Sequence, residues 1–295
     1  MSAENHPDPI AHLRAAAAAL RDVACARIAG VDAGELPGFI ASFDAIPAGR
    51  GYRFIPQPAR QLHARVAQQH GDVAARDFLF AAIVSALCDS LDSPRLGRLP
   101  ARVRAHQLRH YQRIVTDPAQ TEAACELDND LFLKDFGLAT LRMYAAGSNL
   151  VDTSSGIGRS LLWKGGLADL PRRLAILAGV GGFRPFFEIH AHKFYMAEFN
   201  EEGRNECYRC CAELYAIHPE ARGMIAGSWF YDPAITAISP RLAYLREVPQ
   251  QGGAHLLFDS FDEGAARNAV ATSATRKQLF DAGQYKPAAY MLVWP

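Results

Sequence analysis

The chain has 295 residues, of which 49% are hydrophobic and 21% charged, as in an ordinary globular protein. Its 31 basic and 31 acidic residues balance, so no overall charge favours nucleic acid, an anionic membrane or an acidic partner. No run approaches the ~20 apolar residues that span a bilayer, and the N-terminal stretch lacks the pattern of a secretory signal.

Six cysteines are scattered through helix-like segments, which favours reduced thiols over a disulfide framework. Cys207, Cys210 and Cys211 are close in sequence, but no second pair follows at zinc-site spacing, so we predict buried structural thiols. The reduced thiols and the absence of a secretory signal together predict a cytoplasmic protein. The partner that we expect is a small-molecule substrate.

The first 130 residues are predicted to be mainly helical. An alanine-rich segment over residues 9–29 has high helix propensity, and glycine ends it. Three further helices are predicted at 60–70, 72–91 and 101–115, with Gly71 separating the first two. The segment 72–91 is apolar over more than one face, which predicts a core helix.

Composition changes near Asp130, and residues 131–295 are predicted to form a mixed, largely antiparallel sheet with packed helices. Strands are predicted within 136–151 and at 161–164, 186–192, 223–230, 254–258 and 288–294, and helices at 205–217 and 262–282. The fold class is therefore α/β (α+β), with a helical region at 1–130 and a catalytic region at 131–295.

The strand at 186–192 carries an unusual set of polar side chains. Its period-two alternation places Glu188, His190 and His192 on one face and apolar residues on the other. Three interpretations stay open. A histidine is a general base oriented by the carboxylate, since imidazole titrates near neutral pH. Alternatively, His190 and His192 bind a metal together with one or both of Glu188 and His255, or both histidines are satisfied polar groups in a sheet.

A second polar cluster follows the strand at 223–230. Ser228, Trp229, Tyr231 and Asp232 fall at its carboxyl end, where open α/β sheets place their ligands. We predict that Ser228, Trp229, Asp232 and Arg241 bind substrate and that Tyr231 protonates a leaving group. A non-enzymatic binding protein with a pocket lined by Trp229 and Tyr231 is the remaining alternative.

Residues 136–295 resemble the GNAT-type N-acyltransferase superfamily. The resemblance is carried by antiparallel strands, FEIHAH, the helix at 205–217, the strand GMIAGSWF and a closing helix and strand with Gly283 and Tyr285 between them. It implies an acyl donor between two splayed strands, near 187–192 and 225–230. It also implies a base that deprotonates an acceptor amine and a tyrosine that protonates the departing thiol.

The chain departs from that family at the phosphate loop. The family has Gln/Arg-x-x-Gly-x-Gly/Ala between strand and helix, whereas residues 193–205 read KFYMAEFNEEGRN, with one glycine. The implied co-substrate is therefore an acyl thioester of either coenzyme A or acyl carrier protein. The preferred prediction is acyl transfer to a small amine-type acceptor, with no resident metal. The alternatives are a metal-dependent enzyme and a binding protein.

Overall fold

The structure is a computed structural model that describes residues 9–47, 49–183 and 185–295. Helices fill the part before the first strand. They are α1 (Pro9–Arg27), α2 (Glu35–Ser42), α3 (Gln57–Asp92), α4 (Pro94–Arg98), α5 (Ala101–Thr116), α6 (Pro118–Glu122) and α7 (Asp130–Ala139). The helices predicted for this part are confirmed.

The longest helix, α3, is interrupted at Gly71, where φ is 87° and ψ is 171°. Such a positive φ suits glycine because it has no Cβ. After the kink, the segment from Phe78 to Leu91 buries most of its side chains, and Phe78, Leu79 and Ile83 are fully enclosed. The predicted core helix is confirmed, and a helix apolar on several faces is buried because every face needs apolar neighbours.

Six strands form one sheet in the order β1-β2-β3-β4-β6-β5. Their bounds are β1 (Met143–Ala146), β2 (Asn149–Asp152), β3 (Phe187–Ala191), β4 (Met224–Ser228), β5 (His255–Ser260) and β6 (Ala289–Trp294). Neighbouring strands are antiparallel except β3 and β4, which confirms the predicted mixed, largely antiparallel sheet. Gly147, with φ of 66°, allows the two-residue turn between β1 and β2.

The two parallel strands diverge soon after they begin. In the part of the chain that the structure describes, β3 and β4 pair only at Phe187 with Met224 and at Glu188 with Ile225. Beyond that point β3 stays paired with β2 as far as Ala191, while β4 stays paired with β6. The sheet therefore opens between its two central strands on the carboxyl side of their short pairing.

Further helices pack around this sheet. They are α8 (Leu170–Gly179), α9 (Glu201–Leu214), α10 (Ile235–Ile238), α11 (Tyr244–Gln251), α12 (Glu263–Ala271) and α13 (Ala274–Asp281). Helix α9 connects β3 to β4, and its three cysteines are buried free thiols. Their burial agrees with the structural role predicted for them.

Three element predictions are wrong. Residues 161–164 are not a strand, because Leu161 lies in the 3-10 turn Arg159–Leu162 and packs in an apolar cluster with Leu177 and Phe186. The single helix predicted at 262–282 is two, because the Ser273 side chain accepts the Arg276 N–H and starts α13. Residues 136–139 belong to α7 and not to a strand.

One apolar cluster joins the helical part to the sheet. It includes Leu13 of α1, Phe78 of α3, Phe136 of α7, Leu150 of β2 and Leu214 of α9. Helix α7 lies inside this shared core and leads directly to β1, so it brings its own polar side chains to the sheet. Among the described residues, no helix has the length and apolarity needed to cross a membrane.

Candidate active site

A cavity of about 1250 Å³ lies where β3 and β4 diverge. Ile189 and Ala191 of β3 and Gly227 and Ser228 of β4 line it. Ligand sites of drug-sized molecules typically measure ~300–1,000 Å³, so this volume is sufficient for a substrate with a long flexible part.

Glu188 and His190 reach this cavity from the same face of β3. Nε2 of His190 lies 3.6 Å from Oε2 of Glu188, and the Ser155 hydroxyl donates a 2.5 Å hydrogen bond to that oxygen. Burial raises the pKa of Glu188, but the His190 charge and the Ser155 hydrogen bond outweigh it and hold the pKa at about 2. Glu188 is therefore ionised at neutral pH and can stabilise a positive charge on the imidazole.

Asp152 lies beside this pair, opposite Glu188 on the neighbouring strand β2. It is fully buried and accepts hydrogen bonds from the Tyr52 N–H at 2.5 Å and from the Ser154 N–H and hydroxyl at 2.8 and 2.7 Å. Burial raises its pKa. One ligand atom each from Asp152, Glu188 and His190 lies within 4.8 Å of the others, so these three side chains could hold a metal ion.

The helical part supplies a wall of the cavity that the sequence interpretation missed. The Tyr52 hydroxyl donates to Asp130 at 2.5 Å, and the Tyr52 ring centroid lies 4.4 Å from that of His190. The Lys134 ammonium donates to Asp130 at 2.6 Å and to the Ala191 carbonyl at 3.0 Å. The end of β3 is thus fixed to α7 by a nearly buried lysine.

A sequence signal existed for part of this wall. Asp130 and Lys134 are four residues apart on a helix, and Lys134 and Asp135 stand between apolar residues on both sides, which is typical of buried paired charges. Tyr52 and Arg53 lie in a glycine-rich loop about which local patterns say little. Only the fold brings that loop against β2.

His192 does not reach the cavity. The strand ends at Ala191, and the fully buried His192 side chain places Nε2 3.3 Å from Oδ1 of Asp135, which also accepts from Arg113. Burial lowers the pKa of His192 despite the neighbouring carboxylate. The structure therefore brings together two of the three polar residues predicted on this face and separates the third.

Tyr231 and Asp232 also lie away from the cavity. Residues 229–231 form a 3-10 turn that carries Tyr231 inward, where its fully buried hydroxyl accepts a 2.5 Å hydrogen bond from Arg204. Asp232 accepts the N–H groups of Ala234 at 3.0 Å and of Ala288 at 3.2 Å. These contacts stabilise the turn. They correct the prediction that Tyr231 is the acid and that Asp232 binds substrate, because neither residue lines the cavity.

The other predicted binding residues line the cavity. Ser228, Trp229 and Arg241 all contribute to its wall. Arg276, which the sequence interpretation did not select, joins them with its guanidinium 4.8 Å from the centroid of the Trp229 ring. His255, the alternative metal ligand, begins β5 opposite Val293 and is not among the lining residues found in the described ranges.

The beginning of α9 lies at the cavity edge but is closed to a ligand. The Asn200 side chain accepts the Gly203 N–H at 2.9 Å, and two acidic residues, Glu201 and Glu202, occupy the first turn. A Cβ at Gly203 would lie 2.0 Å from the Glu198 carbonyl oxygen, so the backbone is tightly packed there. The helix dipole is thus matched by the chain's own carboxylates.

Fold and site together define an α/β protein with a large cavity beside a carboxylate–histidine pair. No family model matches the chain, and no curated protein does. One similar solved structure is an acyltransferase in complex with decanoyl-CoA and teicoplanin: TM-score 0.49, 11% identity, with 81% of this chain and 77% of that chain covered. Another is an acyltransferase in complex with decanoyl-CoA, at TM-score 0.46 and 14% identity, covering 81% and 79%.

Proposed function

We propose that this protein is an acyltransferase that moves an acyl group from a thioester donor to a small amine-type acceptor by general base catalysis. The observation that carries the proposal is the cavity at the divergence of β3 and β4, with Glu188 and His190 on its wall. A gap between two parallel strands accepts an extended acyl thioester, and a base beside it can activate an amine.

The strand arrangement supports a GNAT-type fold within this proposal. Two parallel, diverging central strands are joined by a helix, α9, and an antiparallel pair, β5 and β6, closes the sheet beside β4. This is the arrangement that the sequence resemblance implied, with the acyl donor between the diverging strands.

His190 is the proposed general base. With a proton on Nε2 facing Glu188, the free lone pair of the ring is on Nδ1, because a neutral imidazole has one donor and one acceptor nitrogen. The amine nitrogen attacks the thioester carbonyl carbon while Nδ1 takes its proton. Glu188 stabilises the imidazolium that results. The carbon–sulfur bond then breaks, and the thiolate takes the proton back from His190.

Tyr231 has no part in this scheme. Its hydroxyl is enclosed and accepts a hydrogen bond from Arg204, so it has no contact with the cavity through which to protonate a thiolate. Returning the proton through His190 balances the reaction without a second acid, because a thiolate is a better leaving group than an alkoxide and needs less assistance.

The test is an assay of thiol release. Purified protein is incubated with acyl thioesters of coenzyme A and of acyl carrier protein, from acetyl to lauroyl, with a panel of small amines. Amine-dependent thiol release that is lost in His190→Ala supports the proposal. No release from any donor, with folded protein, would overturn it.

A metal-dependent enzyme is the second candidate, and the cluster of Asp152, Glu188 and His190 favours it. This set replaces the one predicted from sequence, because His192 is enclosed beside Asp135 and His255 lies outside the cavity wall. Two carboxylates and one imidazole suit zinc, iron or manganese. The general base mechanism remains preferred because Asp152 already accepts three hydrogen bonds from loop groups.

A further inference from the structure

Two arginines line the cavity near each other, since Arg276 donates to Ser239, two residues before Arg241. Arg241 is exposed and belongs to the 3-10 turn Pro240–Leu242, and Arg276 lies in α13 with only 1% of its surface exposed. Both line the same cavity as His190 and Trp229. Their side chains come from segments 35 residues apart in sequence, so the fold has brought two positive charges together.

Arg276 is held entirely by neutral groups. Its guanidinium donates to the Ser239 hydroxyl at 2.9 Å, to the Thr272 hydroxyl at 3.3 Å and to the Ala269 carbonyl, and it faces the Trp229 ring. Within residues 9–47, 49–183 and 185–295, neither Arg276 nor Arg241 forms an ion pair with a carboxylate. Burial lowers the pKa of Arg276, and the charge of Arg241 lowers it further.

Such an arrangement is costly unless something compensates it. A buried charge normally requires a partner of opposite sign, and a second like charge nearby increases the cost. Two acidic residues on the cavity wall, at the end of β5 and just after it, are already engaged: Asp259 pairs with Lys164, and Asp262 accepts N–H groups in the first turn of α12. Within the described residues, the two arginines therefore lack an anionic partner. A bound ligand can provide one.

The start of α9, which also borders the cavity, carries the opposite charge. The start of α9 carries Glu201 and Glu202, and the Asn200 side chain already occupies its Gly203 N–H. A phosphate would be repelled there, because the acidic side chains offset the positive end of the helix. Guanidinium groups, in contrast, bind phosphate and carboxylate oxygens with paired hydrogen bonds.

We propose that Arg241 and Arg276 form an oxyanion-binding subsite that receives a charged group of a substrate, either a phosphate of the thioester donor or a carboxylate of the acceptor. The subsite takes over the anchoring that a helix N-terminus would otherwise provide. This inference rests on the proposed function for the identity of the substrate, but it is tested by binding alone.

The first measurement titrates inorganic pyrophosphate into the parent, Arg241→Gln and Arg267→Gln at fixed ionic strength by calorimetry. Arg267 is the matched control, since it is an exposed arginine of α12 outside the cavity lining. We expect Arg241→Gln to weaken binding by about 10- to 100-fold, as for a lost charge-assisted hydrogen bond. Arg267→Gln should bind like the parent. Equal binding by all three proteins, or none by the parent, would overturn the proposal.

The second measurement identifies the source of the anion. Coenzyme A and pantetheine share the thiol arm but differ in phosphate groups. A preference of the parent for coenzyme A that Arg241→Gln abolishes assigns the subsite to the donor's phosphate. Equal binding of the two, with pyrophosphate binding still dependent on Arg241, assigns it to an acceptor carboxylate. Either result supports the subsite.

These outcomes are distinguishable from failure of the proposed function. If Arg241-dependent pyrophosphate binding persists while no thioester is consumed, the subsite stands and acyl transfer fails. If thioesters are consumed in an amine-dependent way while Arg241→Gln changes neither pyrophosphate nor coenzyme A binding, acyl transfer stands and the subsite fails.

Discussion

Ser155 donates a 2.5 Å hydrogen bond to Glu188, the carboxylate that faces His190 across 3.6 Å. Serine, glutamate and histidine thus form a line that ends at the cavity, in the order hydroxyl, carboxylate, imidazole. The hydroxyl restricts the orientation of the carboxylate. The imidazole lies beside that carboxylate at ion-pair distance, so its charge can be stabilised when it takes a proton.

Replacing His190 by alanine should remove catalysis and leave the fold intact. A general base typically contributes ~10² to 10⁴ in rate, and the side chain borders an open cavity, so few packing contacts are lost. We expect amine-dependent thiol release to fall by that factor while the melting temperature stays near that of the parent. A variant that melts far below the parent would make His190 a structural residue.

His192→Ala should behave in the opposite way. The side chain is fully buried with Nε2 3.3 Å from Asp135, so its removal leaves that carboxylate without one of its partners. Stranding a buried polar group costs about 1–3 kcal/mol, which differential scanning calorimetry would detect as a lower melting temperature. His70→Ala, at an exposed histidine outside the cavity lining, is the comparison variant. A parent-like melting curve for His192→Ala would contradict this role.

These two histidines show what the sequence could and could not predict. The period-two alternation of side chains correctly predicted that Glu188 and His190 lie on the same face of a strand, because this alternation depends only on backbone geometry. It could not show that the strand ends at Ala191, because that depends on Asp135 and Lys134 of α7, which contact this part of the chain only in the fold.

The same limit explains why Tyr231 was misplaced and Tyr52 was missed. Tyr231 falls inside because the chain turns after Ser228, and Arg204 is positioned to bind its hydroxyl. Tyr52 reaches the site because its N–H binds Asp152, 100 residues later in the chain. The positions of most strands and the helix between the central strands were recognisable from local patterns. The pairs that complete the cavity are long-range contacts that local patterns do not encode.

Glu188 should make stability depend on pH in a defined window. Its pKa in the folded protein is about 2, below the ordinary value of 4.5, so its interactions stabilise the fold above pH 4.5. That contribution is lost as the pH falls through the folded-state value. We expect the melting temperature of the parent to exceed that of Glu188→Gln at pH 6 and the difference to shrink between about pH 4.5 and 2. A difference independent of pH would contradict an ionised, stabilised Glu188.

Glu188→Gln should also slow the reaction, by less than His190→Ala does. The amide preserves the shape of the side chain but does not stabilise an imidazolium. Ser155→Ala is the matching variant for the residue that contacts Glu188. It removes the hydrogen bond to Glu188 and leaves the carboxylate in place. We expect Ser155→Ala to lose less rate than Glu188→Gln, measured as thiol release at a saturating concentration of the thioester donor. Loss of rate in Ser155→Ala as large as that in His190→Ala would contradict this order.

The purified protein should hold no stoichiometric transition metal. Both oxygens of Asp152 already accept hydrogen bonds from Tyr52 and Ser154, and Glu188 accepts from Ser155, so these carboxylates have partners without an ion. Elemental analysis after dialysis against buffer without chelator provides the measurement, with Asp152→Asn as the matched variant. About one zinc, iron or manganese per chain in the parent, lost in Asp152→Asn and His190→Ala alike, would contradict the prediction. The metal-dependent mechanism would then replace general base catalysis, because an imidazole bound to a cation through its lone pair cannot accept the proton of an amine.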